Sequence, residues 1–322
     1  MRRAFQTSKR ESYSQNGKRP FKKNGSLLCQ GHTDRYQFVK DNSNSHAVMF
    51  LCSLAQVSRS GYYDWLGRSE SNRSRENRSL LVMIKSSYHE SRETYGAIRV
   101  HRDIHNQGTE CGKNRVARLM KVSGLKSIHK LKYRPQTTQS KANDLVSPNV
   151  ISQDFTAKTE NQKWGCDISY IETKEGWLYL AIVMDFFSRK IVGFDIGFSL
   201  QADLCCRALE KAFSLRLPPR ELIHHSDRGT QYASFPYRQL LKKHAVIQSM
   251  SRKGNCYDNA MVESFFHTLK VELVYRQKYS TREEARRSIE QYIMSFYNNK
   301  RLHSSLGYRS PVEFENLHKS AA

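Results

Sequence analysis

The chain has 322 residues, 38% of them hydrophobic, which is enough for two or three domains with a real core. Its 53 Lys+Arg against 30 Asp+Glu leave a formal charge of +23, which favours a polyanionic partner because basic groups release condensed counterions from nucleic acid. No apolar run reaches the ~18–20 residues of a membrane span, and the basic N-terminus has no following apolar stretch of the kind a secretory signal needs.

The charge is uneven. Residues 1–150 hold 28 Lys+Arg against 11 Asp+Glu, and residues 151–322 hold 25 against 19. A gripping first half and a carboxylate-richer second half are therefore expected. The seven cysteines form no C-x-x-C pair, so they read as reduced cytosolic thiols rather than a disulfide framework or a zinc finger.

Residues 1–35 are basic, polar and without hydrophobic period, and read as a disordered leader. A helical region is expected over 36–131. Within it HAVMFLCSLAQ is an apolar helical stretch, and VSRSGYYDWL follows with Ser58 or Ser60 as N-cap. A polar stretch, LGRSESNRSRENRS, separates these from a helix around 79–91. YGAIRVHRDIHNQG then reads as a helix ended by Gly108, and CGKNRVARLMKVSGL as a second ended by Gly124. In the latter, Val116, Leu119 and Met120 form the apolar face, while Lys113, Arg115, Arg118 and Lys121 lie elsewhere on its surface. A basic second helix after a tight turn suits insertion into the DNA major groove; a solvated bundle surface is the plainer reading. Residues 132–162 read as a polar, basic linker.

From 163 the pattern becomes α/β. WGCDISYIET, GWLYLAIVMDFF and KIVGFDIGF are three strands joined by turns, ADLCCRALEKAFSL an amphipathic helix, and ELIHHSD a strand ending on a carboxylate. FPYRQLLKKHA, VIQSMS and NAMVESFFHTLKVELVY continue as helix, strand and long helix. This predicts a mixed sheet flanked by helices over 163–278. A last helix over 281–298 and a basic tail make up 279–322.

Asp167 lies within the first of these strands, Asp227 closes the fourth, and Glu263 sits on the long helix, with 35 residues between the last two. If the two strands are neighbours and the helix packs beside them, the three converge. Two unit charges ~4 Å apart repel by roughly 4 kcal/mol at an effective dielectric near 20, so such a cluster calls for cations. Oxygen donors suit Mg²⁺ or Mn²⁺, and two such ions can serve phosphodiester displacement without a covalent enzyme intermediate. On the long helix Val262, Phe265, Phe266, Leu269 and Leu273 form the buried face. Glu263, His267 and Lys270 share another, with Lys270 ~10 Å along the axis from Glu263. That places a base beside the acids for an adjoining phosphate or nucleobase. Arg228, Gln231 and Tyr257 are further candidate DNA contacts, and Lys300, Arg301 and His303 could grip DNA or a second subunit. Asp185 reads as a strand-end structural residue, Asp258 as an N-cap for the long helix, and His224 and His225 as either site or packing residues.

The strings WGCDISYIET, GWLYLAIVMDFFSRKIVG, HHSDRGTQYAS and GNCYDNAMVESFFHTLK closely resemble the integrase-core transposases of bacterial insertion sequences, in particular the second-frame product of the IS-three family. VSRSGYYDW, YGAIRV…NRVARLM and YNNKRLHSSLGYRSP also match, so the resemblance spans about 36–316 in the family's order. It implies an RNase H-like (retroviral integrase-like) core preceded by a helix–turn–helix region. The family's catalytic triad falls on Asp167, Asp227 and Glu263, and its basic residue on Lys270. It further implies Mg²⁺ dependence, recognition of terminal inverted repeats and target DNA, and hydrolytic strand cleavage followed by 3′-OH strand transfer. A multimer on DNA, and an upstream reading-frame product as fusion or partner, belong to the same expectation. Two other readings fit these residues: a catalytically silent DNA-binding regulator, and a nuclease that cleaves without joining.

Overall fold

The computed structural model describes residues 31–128, 146–252 and 256–319. The expected leader, apart from 31–35, and residues 132–145 of the expected linker lie outside these residues. The chain divides into two compact units, one up to Glu76 and one from Asn77; the helical region expected over 36–131 has members in both.

In the first unit, α1 (His32–Asn42), α2 (Val48–Leu54) and α3 (Arg59–Gly67) enclose a small core of Val39, Leu51, Cys52, Ala55 and Tyr62. The Tyr36 and Trp65 rings close it at 5.8 Å between centroids. Ser58 caps α3: its hydroxyl accepts a hydrogen bond from the Gly61 N–H at 3.0 Å and satisfies one of the helix's unpaired first-turn donors. α1 escapes sequence reading because HTDRYQFVKDN buries only Val39 fully.

The boundary between units falls within α4 (Asn72–Glu90), which begins inside the polar stretch LGRSESNRSRENRS. In the second unit α4 packs with α5 (Ala97–Asn106) and α6 (Lys113–Val122) around Leu80, Ile84, Tyr88, Val100, Ile104, Val116, Leu119 and Met120. Gly108 and Gly124 follow α5 and α6 at positive φ (85° and 70°). There the N–H of Thr109 returns to the Ile104 carbonyl and that of Leu125 to the Met120 carbonyl, the left-handed stop that glycine allows without a Cβ penalty.

The remainder builds a five-stranded sheet in the order β3-β2-β1-β4-β5. β1 (Lys163–Thr173), β2 (Gly176–Asp185) and β3 (Ile191–Gly197) form an antiparallel meander. β4 (Ile223–Ser226) and β5 (Ile247–Met250) add to it in parallel. Alternation along the strands sends Trp164, Cys166, Ala181, Val183 and Val192 to one face, under α7 (Ala202–Arg216) and α9 (Phe235–Lys243); the short α8 (Thr230–Ala233) also packs there. Ile171, Leu178, Leu180, Ile182 and Met184 face the other way, against α10 (Ala260–Glu272) and α11 (Arg282–Gln291).

Two glycines set how close the helices come. A Cβ on Gly193 would lie 2.3 Å from the Ala208 carbonyl oxygen of α7, and one on Gly165 would lie 2.3 Å from the Phe186 ring and 2.7 Å from Val262 of α10. The last expected helix runs as α11 and then a π-helical turn, Tyr292–Tyr297, which buries Tyr292, Ile293, Phe296 and Tyr297. The tail carries one more helix, α12 (Pro311–Lys319), opened by a proline at its first position, where no N–H is needed. Its Glu315 is buried and bonds Ser188, Lys190 and Arg216.

Candidate active site

The parallel pairing of β1 with β4 brings the two aspartates together. The last paired positions are Cys166 and Ser226; Asp167 and Asp227 each come one residue later, on neighbouring strands ~4.8 Å apart. Gly165 admits α10 onto the same face of β1, and the Asn259 amide ties the helix start to the Cys166 carbonyl at 3.3 Å. Glu263, one turn into α10, is exposed on the side left free by the buried Val262, Phe265, Phe266 and Leu269.

Electrostatics link the three acids. Desolvation, then the Asp227 carboxylate, pushes Asp167 well above the usual carboxylate range; Glu263 adds to this, while the Ile168 N–H at 2.8 Å and Lys270 oppose it. Desolvation also raises Asp227, against a hydrogen bond from the Gly229 N–H at 2.9 Å. Glu263 is raised by desolvation and by Asp227. Lys270 is pulled below the usual lysine value by burial, against the attraction of Asp167. Burial and mutual repulsion both disfavour the charged forms of these acids, and their donors are all oxygen, so a hard divalent cation fits the group. Among the described residues no three His, Cys, Asp or Glu side chains are already gathered at ion-holding distance.

The structure sorts the other candidates. Lys113, Arg118 and Lys121 are exposed on α6, while Arg115 is half-buried and bonds Asn77 at 2.8 Å. Arg228 donates to the Ser251 carbonyl at 2.6 Å, and Gln231 reaches the Leu200 carbonyl at 3.4 Å. The side chain of Tyr257 lies outside the described residues. Asp185 is buried, accepts from the Asn161 and Phe187 N–H groups and is pushed up to about 6 by burial, as a strand-end anchor would be.

Three expectations need correcting or resolving. Asp258 is not an N-cap. It sits in a 3₁₀ turn ahead of α10, where its buried carboxylate takes hydrogen bonds from Asn149, Gln153 and Arg252. Both histidines pack rather than face solvent: His224 lies against Tyr237 and Cys166, and His225 against Ser249 and Ser251. Arg301 and His303 are buried, and Arg301 forms a two-pronged pair with Glu272 at 2.7 and 2.9 Å. Neither can be a surface grip. Sequence reading missed Glu272, because a carboxylate two residues past Lys270 looks like part of a solvated helix face.

Comparison with known proteins gives the chain's relatives. An integrase core domain family matches residues 157–256, a second integrase core domain family matches 263–318, and an HTH-like domain family matches 74–133. The chain is 42% identical over 273 residues to the insertion element IS600 uncharacterized 31 kDa protein of Shigella sonnei, covering 84% of this chain and 100% of that one. It is 39% identical over 285 residues to transposase InsF for insertion sequence IS3A of Escherichia coli (strain K12), covering 88% and 98%. Among solved structures, a simian T-cell lymphotropic virus intasome in complex with PP2A regulatory subunit B56 gamma aligns over 68% of this chain and 74% of that one, at 14% identity and a TM-score of 0.42.

Proposed function

We propose, from the premise that the chain belongs to the IS3 family of insertion-sequence transposases, that Asp167, Asp227 and Glu263 are its catalytic carboxylates. The protein is a polynucleotidyl transferase acting in DNA transposition. The observation that carries the site assignment is the placement of Asp167 and Asp227 just past paired parallel strands, with Glu263 on the helix seated over Gly165 and all three acids raised together.

These carboxylates would hold two Mg²⁺ or Mn²⁺ ions. Bound there, such ions supply Lewis-acid charge for phosphodiester displacement. The protein's own part is to orient. In the first step a water oxygen bonds to phosphorus and the 3′-oxygen leaves with a proton. In the second that 3′-oxygen bonds to another phosphorus and displaces its 3′-oxygen, so one phosphodiester forms as one breaks. Lys270 faces the adjoining nucleotide. Lys113, Arg118 and Lys121, with Arg115 behind them, meet the inverted repeats, and Arg228 and Gln231 line the approach to Asp227. Synapsis of two element ends asks for a multimer, with the upstream reading-frame product as fusion or partner. Among the described residues no helix is long and apolar enough to cross a membrane, and a protein that works on chromosomal DNA belongs in the cytoplasm.

Strand-transfer assays on DNA carrying the element's own ends, with Mg²⁺, test this. Glu263→Gln should lower cleavage by at least ~10²-fold while DNA binding persists. Near-normal joining by that variant would sink the assignment. Binding without any cleavage by the unaltered protein would mean a regulator, and cleavage without joined products a nuclease.

A further inference from the structure

Asn259 occupies the N-cap of α10, one residue ahead of Ala260. Asparagine is favoured there because its side-chain oxygen ordinarily accepts from a first-turn N–H. Here that hydrogen bond is not made. The side chain turns away from its own helix instead, and its Nδ2 donates to the Cys166 carbonyl at 3.3 Å. This fixes which end of the amide is which, with the nitrogen on β1 and Oδ1 left over. Oδ1 is shut off from solvent and has no hydrogen-bond partner, in a residue only 4% exposed. Buried polar atoms are paired as a rule, so an orphaned acceptor needs a reason.

Its position supplies one. Cys166 is the last β1 residue paired with β4, and its carbonyl belongs to the peptide that carries Asp167. Asp167 lies two residues past Gly165, over which α10 is seated, and so turns to the same side of the sheet. Glu263 comes four residues after Asn259, one turn along the helix, where side chains are neighbours. A hydrogen bond and helix geometry therefore hold the Asn259 amide between β1 at Asp167 and α10 at Glu263.

We propose that Asn259 Oδ1 is a further oxygen ligand for a divalent cation held by Asp167, Asp227 and Glu263. The inference rests on the catalytic reading above and adds a neutral ligand to it. Two properties select a cation as the occupant. Mg²⁺ demands an octahedral set of oxygens, and an amide oxygen supplements three carboxylates without adding another mutually repelling charge. Mg²⁺ also approaches oxygen to ~2.0–2.1 Å, closer than the ~2.7–2.8 Å of a water's hydrogen bond, so it fits against an atom that water does not reach.

The test is Mn²⁺ uptake by the full chain without DNA, read from loss of the free ion's paramagnetic resonance signal, beside melting curves of the metal-free protein. Asn259→Ala should weaken Mn²⁺ affinity at least ~10-fold, the lower end for losing a partner of a metal site. Asn259→Asp, which keeps an oxygen at the same place, should bind Mn²⁺ at least as tightly as the unaltered chain. Unchanged affinity in Asn259→Ala would overturn the assignment, whatever its melting temperature. So would an equal loss in Asn259→Asp, since the amide would then serve only as a tether to β1. Asp167→Asn run alongside separates the two readings. If its uptake matches that of the unaltered chain, the catalytic reading of the acids fails; if it loses the site while Asn259→Ala keeps it, only the Asn259 ligand fails.

Discussion

Asp167 shows how far one residue's chemistry depends on its neighbours. Alone in a strand it would titrate near 3.9; here desolvation and the Asp227 and Glu263 carboxylates raise it, and only the Ile168 N–H and Lys270 pull it back. A carboxyl raised in the folded state contributes stability that is fully present below its unfolded pKa and is lost as pH rises through its folded one. Above the unfolded carboxyl range the three raised acids therefore oppose folding. Asp167→Asn, whose amide oxygen can still accept from Ile168, should raise the melting temperature of metal-free protein at pH 7. The expected gain is about 2–4 °C per ~1 kcal/mol relieved, shrinking as pH falls through the raised range. Mg²⁺ should stabilise the unaltered protein and leave the variant nearly unmoved. Calorimetry showing the variant less stable would contradict this account of the charge.

Elements rather than residues decide whether the acids meet. The β1 string is recognisable by alternation and β-branched content and the β4 string as a strand ending on a carboxylate, and the burial of Val262, Phe265, Phe266, Leu269 and Leu273 follows the periodicity read for α10. The distance of α10 from β1 was not legible, because it depends on a missing Cβ at Gly165 and on which ring, Phe186, fills that space. Gly165→Ala should destabilise the protein by about 1–3 kcal/mol through overpacking and lower cleavage by shifting Glu263; urea melts and the strand-transfer assay together check it. A stable, fully active variant would show that α10 does not depend on that contact. α1, the start of α4 and α12 were missed for another reason. Their sequences are mostly polar, and each is held by a few contacts, such as Glu315 with Arg216, that no hydrophobic period announces.

At the scale of the second unit, the C-terminal segment binds helical region and catalytic core together. Arg301 grips Glu272 of α10, Tyr292 donates to the same carboxylate at 2.7 Å, and the Tyr95 hydroxyl donates to the Lys300 carbonyl and accepts from the Leu302 N–H. The Arg301 partner holds Glu272 below its usual range even though burial works the other way. Removing one member of a buried pair strands the other charge, so Arg301→Ala should cost about 3–5 kcal/mol, read as a lower urea midpoint before any DNA is added. Unchanged stability with weaker DNA affinity would return Arg301 to the role of a surface grip.

The sequence by itself determined the chemistry on offer: a strongly basic chain, an α/β order from residue 163, three acids on two strands and a helix, and a lysine two turns past the last acid. These are properties of residue type and period, which local backbone geometry turns directly into faces. Only the tertiary structure decided which charges are spent inside. Arg301 and Asp258 are buried in ion pairs, and His224 and His225 in hydrogen bonds, while Lys113, Arg118 and Lys121 stay in solvent. The physical reason is that a buried charge is tolerated only with a partner, and the partners, 29 residues away for Arg301 and Glu272, are joined by packing that no local pattern encodes. The triad itself belongs to both levels, its residues named by the sequence and its shared charge created by the sheet.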